Sequence, residues 1–168
     1  MIETGVRRGG ACIFMRGVLA AHDVTDRTVW VADSFEGLPK PSSDYPDYVE
    51  DGMPLWGVSA LAVSQEEVEA NFAKYGLLDE QVRFLKGWFK DMLPSAPIDQ
   101  LAVLRLDGDL YESTIQALEA LYGKVSAGGY VVVDDYRTVE GCHDVINDFR
   151  RDHGVTAPVT DIDYASVY

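Results

Sequence analysis

Residues 101–109 read LAVLRLDGD and give the strongest indication of fold class in the chain. A short, almost continuously apolar run such as 101–106 is typical of a strand buried on both faces of a parallel sheet. The run ends abruptly in Asp107-Gly108-Asp109, where the strand would meet a loop. Because ligands of open α/β sheets bind beyond the carboxyl ends of the strands, this ending also indicates where a site should lie.

Similar apolar runs recur along the chain and end in the same manner. They are VWVA at 29–32 before Asp33, VRFL at 82–85 before Lys86-Gly87, and YVVV at 130–133 before Asp134-Asp135. Segments with helical spacing of apolar residues fall between them, at 10–22, 64–76, 114–122 and 139–153. Ser64-Gln65-Glu66-Glu67 has the form of a capping box, which predicts that the second of these helices begins there. Strands that alternate with helices predict right-handed βαβ units. We therefore predict one α/β domain over residues 1–168, with a doubly wound, mostly parallel sheet and helices on both faces.

Residues 37–63 interrupt this alternation. They contain Pro39, Pro41, Pro46 and Pro54, several aspartates and several aromatic residues, without a helical or strand period. Long irregular segments in compact domains are often binding loops or lids. We predict that this segment is a lid or an acceptor-binding loop.

The composition restricts the class of partner. The chain has 28 Asp and Glu against 14 Lys and Arg, a formal net charge of -14. Such an acidic surface repels phosphate backbones and anionic lipid, which argues against nucleic-acid and membrane partners and is compatible with cation binding. No apolar run is long enough for a membrane span, and the first residues lack the apolar stretch of a secretion signal. Two widely separated cysteines fit a reducing compartment, so we expect a cytoplasmic protein.

The segment ETGVRRGG at 3–10 should lead from a first strand into the first helix. Gly5 permits a tight turn, while Gly9 and Gly10 would let backbone approach a ligand at a helix N-terminus. The spacing is not that of the Gly-x-Gly-x-x-Gly fingerprint, which disfavours a dinucleotide-dependent dehydrogenase. The alternative is a turn that simply needs small residues.

Acidic residues at the predicted strand ends suggest two further contacts. Asp33 follows the second strand, where an acid commonly accepts hydrogen bonds from the ribose of a nucleoside cofactor; the alternative is an Asx turn or helix cap.

Asp107, Asp134 and Asp135 follow two sequential strands and should lie close together. Three crowded carboxylates repel one another unless protons or a cation neutralise them, and oxygen ligands favour Mg²⁺ or another hard divalent cation. The alternative is that these acids cap turns or helices, a role also open to Asp109.

Five motifs in order resemble the macrocin O-methyltransferase (TylF/MycF/NovP-type) family. They are ETGVRRGG at 3–10, VADSFEGLP at 31–39, FLKGWFKDMLP at 84–94, LRLDGDLYEST at 104–114 and GGYVVVDDY at 128–136. The family methylates sugar hydroxyls of macrolides, aminocoumarins and related natural products. The resemblance implies a class I methyltransferase fold that uses S-adenosylmethionine and a divalent metal, usually Mg²⁺.

The resemblance also implies roles for individual residues. The implied cofactor contacts are Glu3, Thr4 and Gly5 at the methionine end, Asp33 and Ser34 at the ribose, and Gly87 and Trp88 near the adenosine. The implied metal ligands are Asp107, Asp134 and Asp135, with Asp107 also the general base.

The family pattern implies an enzyme that takes a small-molecule glycoside as acceptor and assembles into homo-oligomers. It extends beyond both ends of this chain, so we expect a trimmed form of the fold. Two other functions stay open at this point. One is a Mg²⁺-dependent phosphotransferase or phosphatase that uses Asp107 and Asp109. The other is a truncated, non-catalytic cofactor-binding domain.

Overall fold

The computed structural model describes residues 1–48 and 59–168, which contain a five-stranded, entirely parallel sheet. Its strands are β1 (Ile2–Thr4), β2 (Val29–Asp33), β3 (Val82–Lys86), β4 (Leu101–Leu106) and β5 (Val125–Val133). They lie in the order β3-β2-β1-β4-β5. The change of winding direction at the central β1 makes this a doubly wound sheet, so the predicted fold class is confirmed.

Helices connect the strands. They are α1 (Gly10–Ala21), α2 (Gln65–Lys74), α3 (Phe89–Met92), α4 (Tyr111–Leu121) and α5 (Glu140–Asp152), with 3₁₀ turns at Ser59–Leu61 and Tyr122–Lys124. The predicted start of α2 is confirmed, because the Ser64 hydroxyl accepts a hydrogen bond from the Glu67 backbone N–H at 3.3 Å. Within the described residues, we find no helix with the length and apolar character needed to cross a membrane.

Three elements differ from the sequence prediction. Strand β5 begins at Val125 rather than Tyr130, because Val125 pairs with Leu101 of β4 before a register shift, and regular pairing resumes with Tyr130 and Val103. Helix α4 begins at Tyr111 rather than Thr114. Helix α3 was not predicted, since its four residues are too few to show a helical period.

The sheet has an apolar core on each face. Successive residues of β2 alternate between them: Val29 and Val31 belong to one core, and Ala32 to the other. The first core includes Cys12 and Leu19 of α1 with Val68 and Phe72 of α2. The second includes Leu118 of α4 with Val145, Ile146 and Phe149 of α5. Helices therefore cover both faces and leave the carboxyl edge of the strands free to form a site.

Phe72 is the largest fully buried side chain of the first core, and its removal should destabilise the fold. Its ring meets Phe84 edge-on at a centroid distance of 6.1 Å. We expect Phe72→Ala to lower the free energy of unfolding by about 3–5 kcal/mol, because truncation leaves a cavity. Tyr75, which follows the same helix and is 70% exposed, provides the control. Urea unfolding should show Tyr75→Ala close to the parent; equal losses for the two variants would contradict this description of the core.

The predicted loop at 37–63 is described only in part, because residues 49–58 lie outside the described residues. The described portion up to Tyr48 consists of turns and irregular backbone, with Pro41 buried. A 3₁₀ turn at Ser59–Leu61 precedes α2. Whether the segment acts as a lid stays a prediction.

Candidate functional site

Gly5 lies where the turn after β1 approaches the loop after β4. Its backbone N–H donates to the Ala32 carbonyl at 2.9 Å, and the Asp107 N–H donates to the Thr4 carbonyl at 2.9 Å. Gly5 has φ +87°, and a Cβ placed on it would lie 1.9 Å from the carbonyl oxygen of Asp107. Only glycine fits this contact. The predicted cofactor turn and the predicted acidic loop are therefore in direct contact.

Asp33 fixes the backbone around this turn. One carboxylate oxygen accepts the Val6 N–H at 2.7 Å, and the other accepts the Phe35 N–H at 2.8 Å. The second bond is the Asx turn that the sequence analysis considered as an alternative. Each carboxylate oxygen has two lone pairs, so these bonds leave room for a ribose hydroxyl. The ribose contact of Asp33 stays a prediction.

A cavity of about 270 Å³ opens beside the glycine turn. Four of the predicted cofactor residues line it, namely Gly5, Ser34, Gly87 and Trp88. Residues 37–40 and the beginning of α4 supply further lining. The described lining does not include Asp33, or Glu3 and Thr4, which are 2% and 1% exposed and lie within β1. The structure thus brings the ends of β1, β2 and β3 around one cavity.

An acidic cluster lies at the ends of β4 and β5. Carboxylate oxygens of Asp107, Asp109 and Asp135 lie within 4.8 Å of one another. Asp109 and Asp135 have φ values of +57° and +52°, a left-handed conformation that is uncommon for residues other than glycine. Backbone strain of this kind concentrates at functional sites. The donor set is all oxygen and acidic, which suits a hard divalent cation.

The electrostatics of the cluster favour uptake of positive charge. Burial raises the pKa of Asp109 to about 7, and the neighbouring carboxylates of Asp107 and Asp135 add to the increase. Burial also raises the pKa of Asp107 to about 6, against the opposing effect of the Arg105 guanidinium. Asp107 and Asp109 therefore hold protons more tightly than isolated acids do, and a cation could replace those protons.

Asp134 lies beside the acidic cluster and pairs with Arg105. One of its carboxylate oxygens lies 3.0 Å from Nη2 of Arg105 and accepts the Ser166 hydroxyl at 2.7 Å. The geometric cluster contains Asp109, for which the sequence left a capping role open, and does not include Asp134. The role of Asp134 as a metal ligand stays a prediction.

Arg105 is a site residue that the sequence analysis missed. Its Nη1 contacts carboxylate oxygens of both Glu3 and Asp107. Glu3 also accepts a hydrogen bond from Cys12 Sγ at 3.0 Å, and burial raises its pKa to about 7. The described contacts of Glu3 are therefore structural, and its predicted role at the cofactor is untested. The feature of the sequence that could have indicated this role is a charged residue inside an apolar strand. In the structure, Arg105 lies in register with Glu3 of β1.

A family model described as "Macrocin-O-methyltransferase (TylF)" matches residues 1–168, the whole chain. The chain belongs to the TylF family. The resemblance read from the five sequence motifs is therefore confirmed.

Two curated O-methyltransferases are similar over the full length of the chain. Demethyldecarbamoylnovobiocin O-methyltransferase of Streptomyces niveus is 59% identical, and the match covers 64% of that protein. Mycinamicin III 3''-O-methyltransferase of Micromonospora griseorubida is 48% identical, with 66% of that protein covered. The chain thus spans slightly less than two thirds of the length of these curated relatives.

A solved structure agrees with the TylF assignment. The O-methyltransferase NovP superposes with a TM-score of 0.95 at 57% identity, covering 99% of this chain and 69% of that one. The calicheamicin methyltransferase CalS11 superposes with a TM-score of 0.76 at 21% identity, covering 99% of this chain and 70% of that one; this likeness concerns the fold alone.

Proposed function

We propose that this TylF-family chain transfers a methyl group from S-adenosylmethionine to a sugar hydroxyl of a natural-product glycoside, with the aid of Mg²⁺ or a similar cation. The observation that carries the proposal is the direct contact between Gly5 and Asp107. This contact places the proposed cofactor turn beside the acidic cluster, so that a methyl donor bound at the turn could meet a sugar hydroxyl bound at the cluster.

The residues around the cavity fit a nucleoside cofactor. Gly5 of the glycine turn lines the cavity, and Ser34 offers a hydroxyl at the end of β2. Trp88 and Phe89 offer apolar surface at the end of β3, which suits a flat base. Gly5, Ser34, Gly87 and Trp88 would therefore hold the cofactor, with Asp33 supporting the turn and facing the ribose.

The acidic cluster fits a hard cation by its chemistry. Asp107, Asp109 and Asp135 each offer one carboxylate oxygen within a 4.8 Å span. Asp134 is proposed as a further ligand because it lies at the end of the same strand as Asp135. Arg105 neutralises only part of this charge, so a divalent cation would relieve the repulsion that remains.

Asp107, besides offering an oxygen to the cation, is the proposed general base. The end of β4 holds its backbone in place, and Arg105 contacts one carboxylate oxygen. The carboxylate can accept the proton that a sugar hydroxyl loses as its oxygen bonds to the methyl carbon. When bound, the cofactor supplies the methyl group and the cation lowers the pKa of a coordinated hydroxyl.

The names of the relatives support a glycoside acceptor. One 54% identical relative from Streptomyces olivaceus is named for 4'-O-methylation of a dimethoxy-rhamnosyl tetracenomycin. We propose a glycoside acceptor of this general class for the present chain. We also propose that the chain forms homo-oligomers. Its two free, buried cysteines support a cytoplasmic location.

The decisive experiment measures methyl transfer and cofactor binding on one preparation. The chain is incubated with S-adenosylmethionine, Mg²⁺ and natural-product glycosides, and products are identified by mass spectrometry, while calorimetry measures the affinity for S-adenosylhomocysteine. Methylated glycoside supports the proposal. Binding without transfer would favour a non-catalytic domain, and phosphate release from phosphate esters without methyl transfer would favour a phosphatase.

The identity of the metal ligands can be tested by comparing two neighbouring aspartates. Mg²⁺ should stabilise the parent chain against thermal unfolding, because it binds the folded state. We expect Asp135→Asn to weaken Mg²⁺ binding by more than about 100-fold, beyond the 10–100-fold typical of residues that only orient a ligand. Asp134→Asn, which alters the partner of Arg105, should weaken binding less.

The shift of the melting temperature with Mg²⁺ concentration gives both affinities. Asp144→Asn, an exposed acid near the start of α5, serves as the control for loss of one negative charge. A loss for Asp134→Asn as great as that for Asp135→Asn would favour the ligand set expected from the sequence, which contains both residues. An unchanged Mg²⁺ affinity in both variants would contradict a metal site at this edge.

A further inference from the structure

The N-terminus of α4 is capped by a residue from a distant part of the chain. Its own N-cap residue, Leu110, offers no side-chain acceptor. The Glu112 backbone N–H instead donates to Oδ2 of Asp47 at 3.3 Å, across 65 positions of sequence. A carboxylate at this position satisfies an otherwise unpaired N–H and interacts favourably with the helix dipole.

Two more contacts fasten the same segment, residues 38–48, which we call the cap loop. The Ser42 backbone N–H donates to a carboxylate oxygen of Glu112 at 2.8 Å. The ring of Tyr45 packs against Tyr111 at a centroid distance of 6.0 Å. All three contacts converge on the first two residues of α4, so the cap loop is docked at one point.

Asp47 is held in an enclosed position. Its Oδ1 is buried without a hydrogen-bond partner among the described residues, and a Cβ on Gly141 of α5 would lie 3.6 Å from that oxygen. Burial raises the pKa of the carboxyl group. A partly desolvated carboxylate is costly unless hydrogen bonds and dipoles compensate it, and here those come from the start of α4. The Asp47 carboxylate is therefore stabilised in this position only while the cap loop is docked against α4.

The docking point joins two walls of the cavity. The cap loop contributes Leu38, Pro39 and Lys40 to the lining, and α4 contributes Glu112 among others. Asp109 of the acidic cluster precedes α4 by two residues. Separation of the cap loop from α4 would thus open the cavity and release the backbone next to the cluster.

We propose that Asp47 is a positioning residue that holds the cap loop against α4 and so completes the cavity wall. It acts through Glu112 and the cap loop, and it does not itself line the cavity among the described residues. The consequence for ligand binding rests on the proposed function, because that function identifies the cavity as the cofactor site.

Hydrogen exchange of the ligand-free chain tests the docking itself. We expect faster amide exchange in the cap loop and the first turn of α4 in Asp47→Ala, with exchange in β4 unchanged. Asp47→Asn keeps an acceptor oxygen and should restore most of the protection. Asp44→Ala is the matched control, because Asp44 is an exposed acid of the same loop. Parent-like exchange in Asp47→Ala would overturn the proposal.

Calorimetry with S-adenosylhomocysteine tests the effect on the cavity. We expect Asp47→Ala to weaken binding about tenfold, the size expected from loss of one helix cap, with Asp47→Asn and Asp44→Ala near the parent. Faster exchange with unchanged affinity would overturn the role in completing the cavity. Absence of binding to the parent chain would contradict the proposed function, while the exchange experiment would still decide whether Asp47 docks the loop.

Discussion

Gly5→Ala is expected to destabilise the fold and to abolish measurable cofactor binding. The added Cβ would lie 1.9 Å from the carbonyl oxygen of Asp107 and 2.7 Å from its carbonyl carbon, so the backbone after β1 or β4 must move. Left-handed backbone at a non-glycine residue costs roughly 1–2 kcal/mol, and overpacking adds roughly 1–3 kcal/mol. We expect the free energy of unfolding to fall by about 2–5 kcal/mol.

The control separates the clash from the cost of left-handed backbone. Gly76, after α2, also has a positive φ, +65°, but a Cβ there would have nothing within 4 Å. Gly76→Ala should therefore show only the conformational cost and retain affinity for S-adenosylhomocysteine. Urea unfolding and calorimetry of the two variants provide the comparison. If Gly5→Ala loses no more stability than Gly76→Ala and still binds, the turn and the acidic loop do not make the close contact described here.

The positions of the strands could be anticipated because burial on both faces produces continuous apolar runs in the sequence, whereas the order of the strands was not predicted. The apolar runs before Asp33, Gly87 and Asp134 gave three strand ends that the structure confirms to within one or two residues. The beginning of β5 has no such run. Residues 126–129 include two glycines and lie at a register shift between the pairs Val125–Leu101 and Tyr130–Val103, so no apolar pattern indicates this part of the strand.

The acidic cluster could be predicted as a region but not residue by residue. Sequence places Asp107, Asp109, Asp134 and Asp135 at one edge of the sheet, because parallel strands end together. Which carboxylates converge depends on local backbone: Asp109 and Asp135 adopt left-handed conformations, and Arg105 pairs with Asp134. Neither a positive φ at aspartate nor a pairing across 29 positions is encoded in an apolar pattern.

Long-range polar contacts were the least predictable part of the site. Asp47 caps α4 from 65 positions away, and Arg105 reaches Glu3 across 102. Both contacts form because the fold brings separate loops or strands together, so periodicity and local capping rules do not reveal them. Local rules succeeded where the partners were close in sequence, as at Ser64 and Glu67 of α2.

Asp107→Asn is expected to cause the greatest loss of turnover. The substitution preserves shape but removes a charge from the acidic cluster and the proposed proton acceptor. Loss of general-base assistance alone reduces a rate by about 10²–10⁴-fold, and weaker binding of Mg²⁺ would add to this. Cofactor affinity should remain near that of the parent, because the carbonyl oxygen of Asp107 approaches Gly5 and the carboxylate does not contribute to that contact.

The measurement is turnover at saturating S-adenosylmethionine and glycoside, with and without a chelator. Asp26→Asn provides the control. Asp26 is an exposed acid that precedes β2, at the opposite end of the strands from the acidic cluster, and its carboxylate lies 3.6 Å from Nε of Arg27. A metal-dependent mechanism requires that chelation slow the parent strongly and the control equally. Full activity after chelation would assign the acidic cluster to capping the turns after β4 and β5. A slow Asp107→Asn variant whose rate recovers at high Mg²⁺ would instead indicate that Asp107 serves the cation and that a different group accepts the proton.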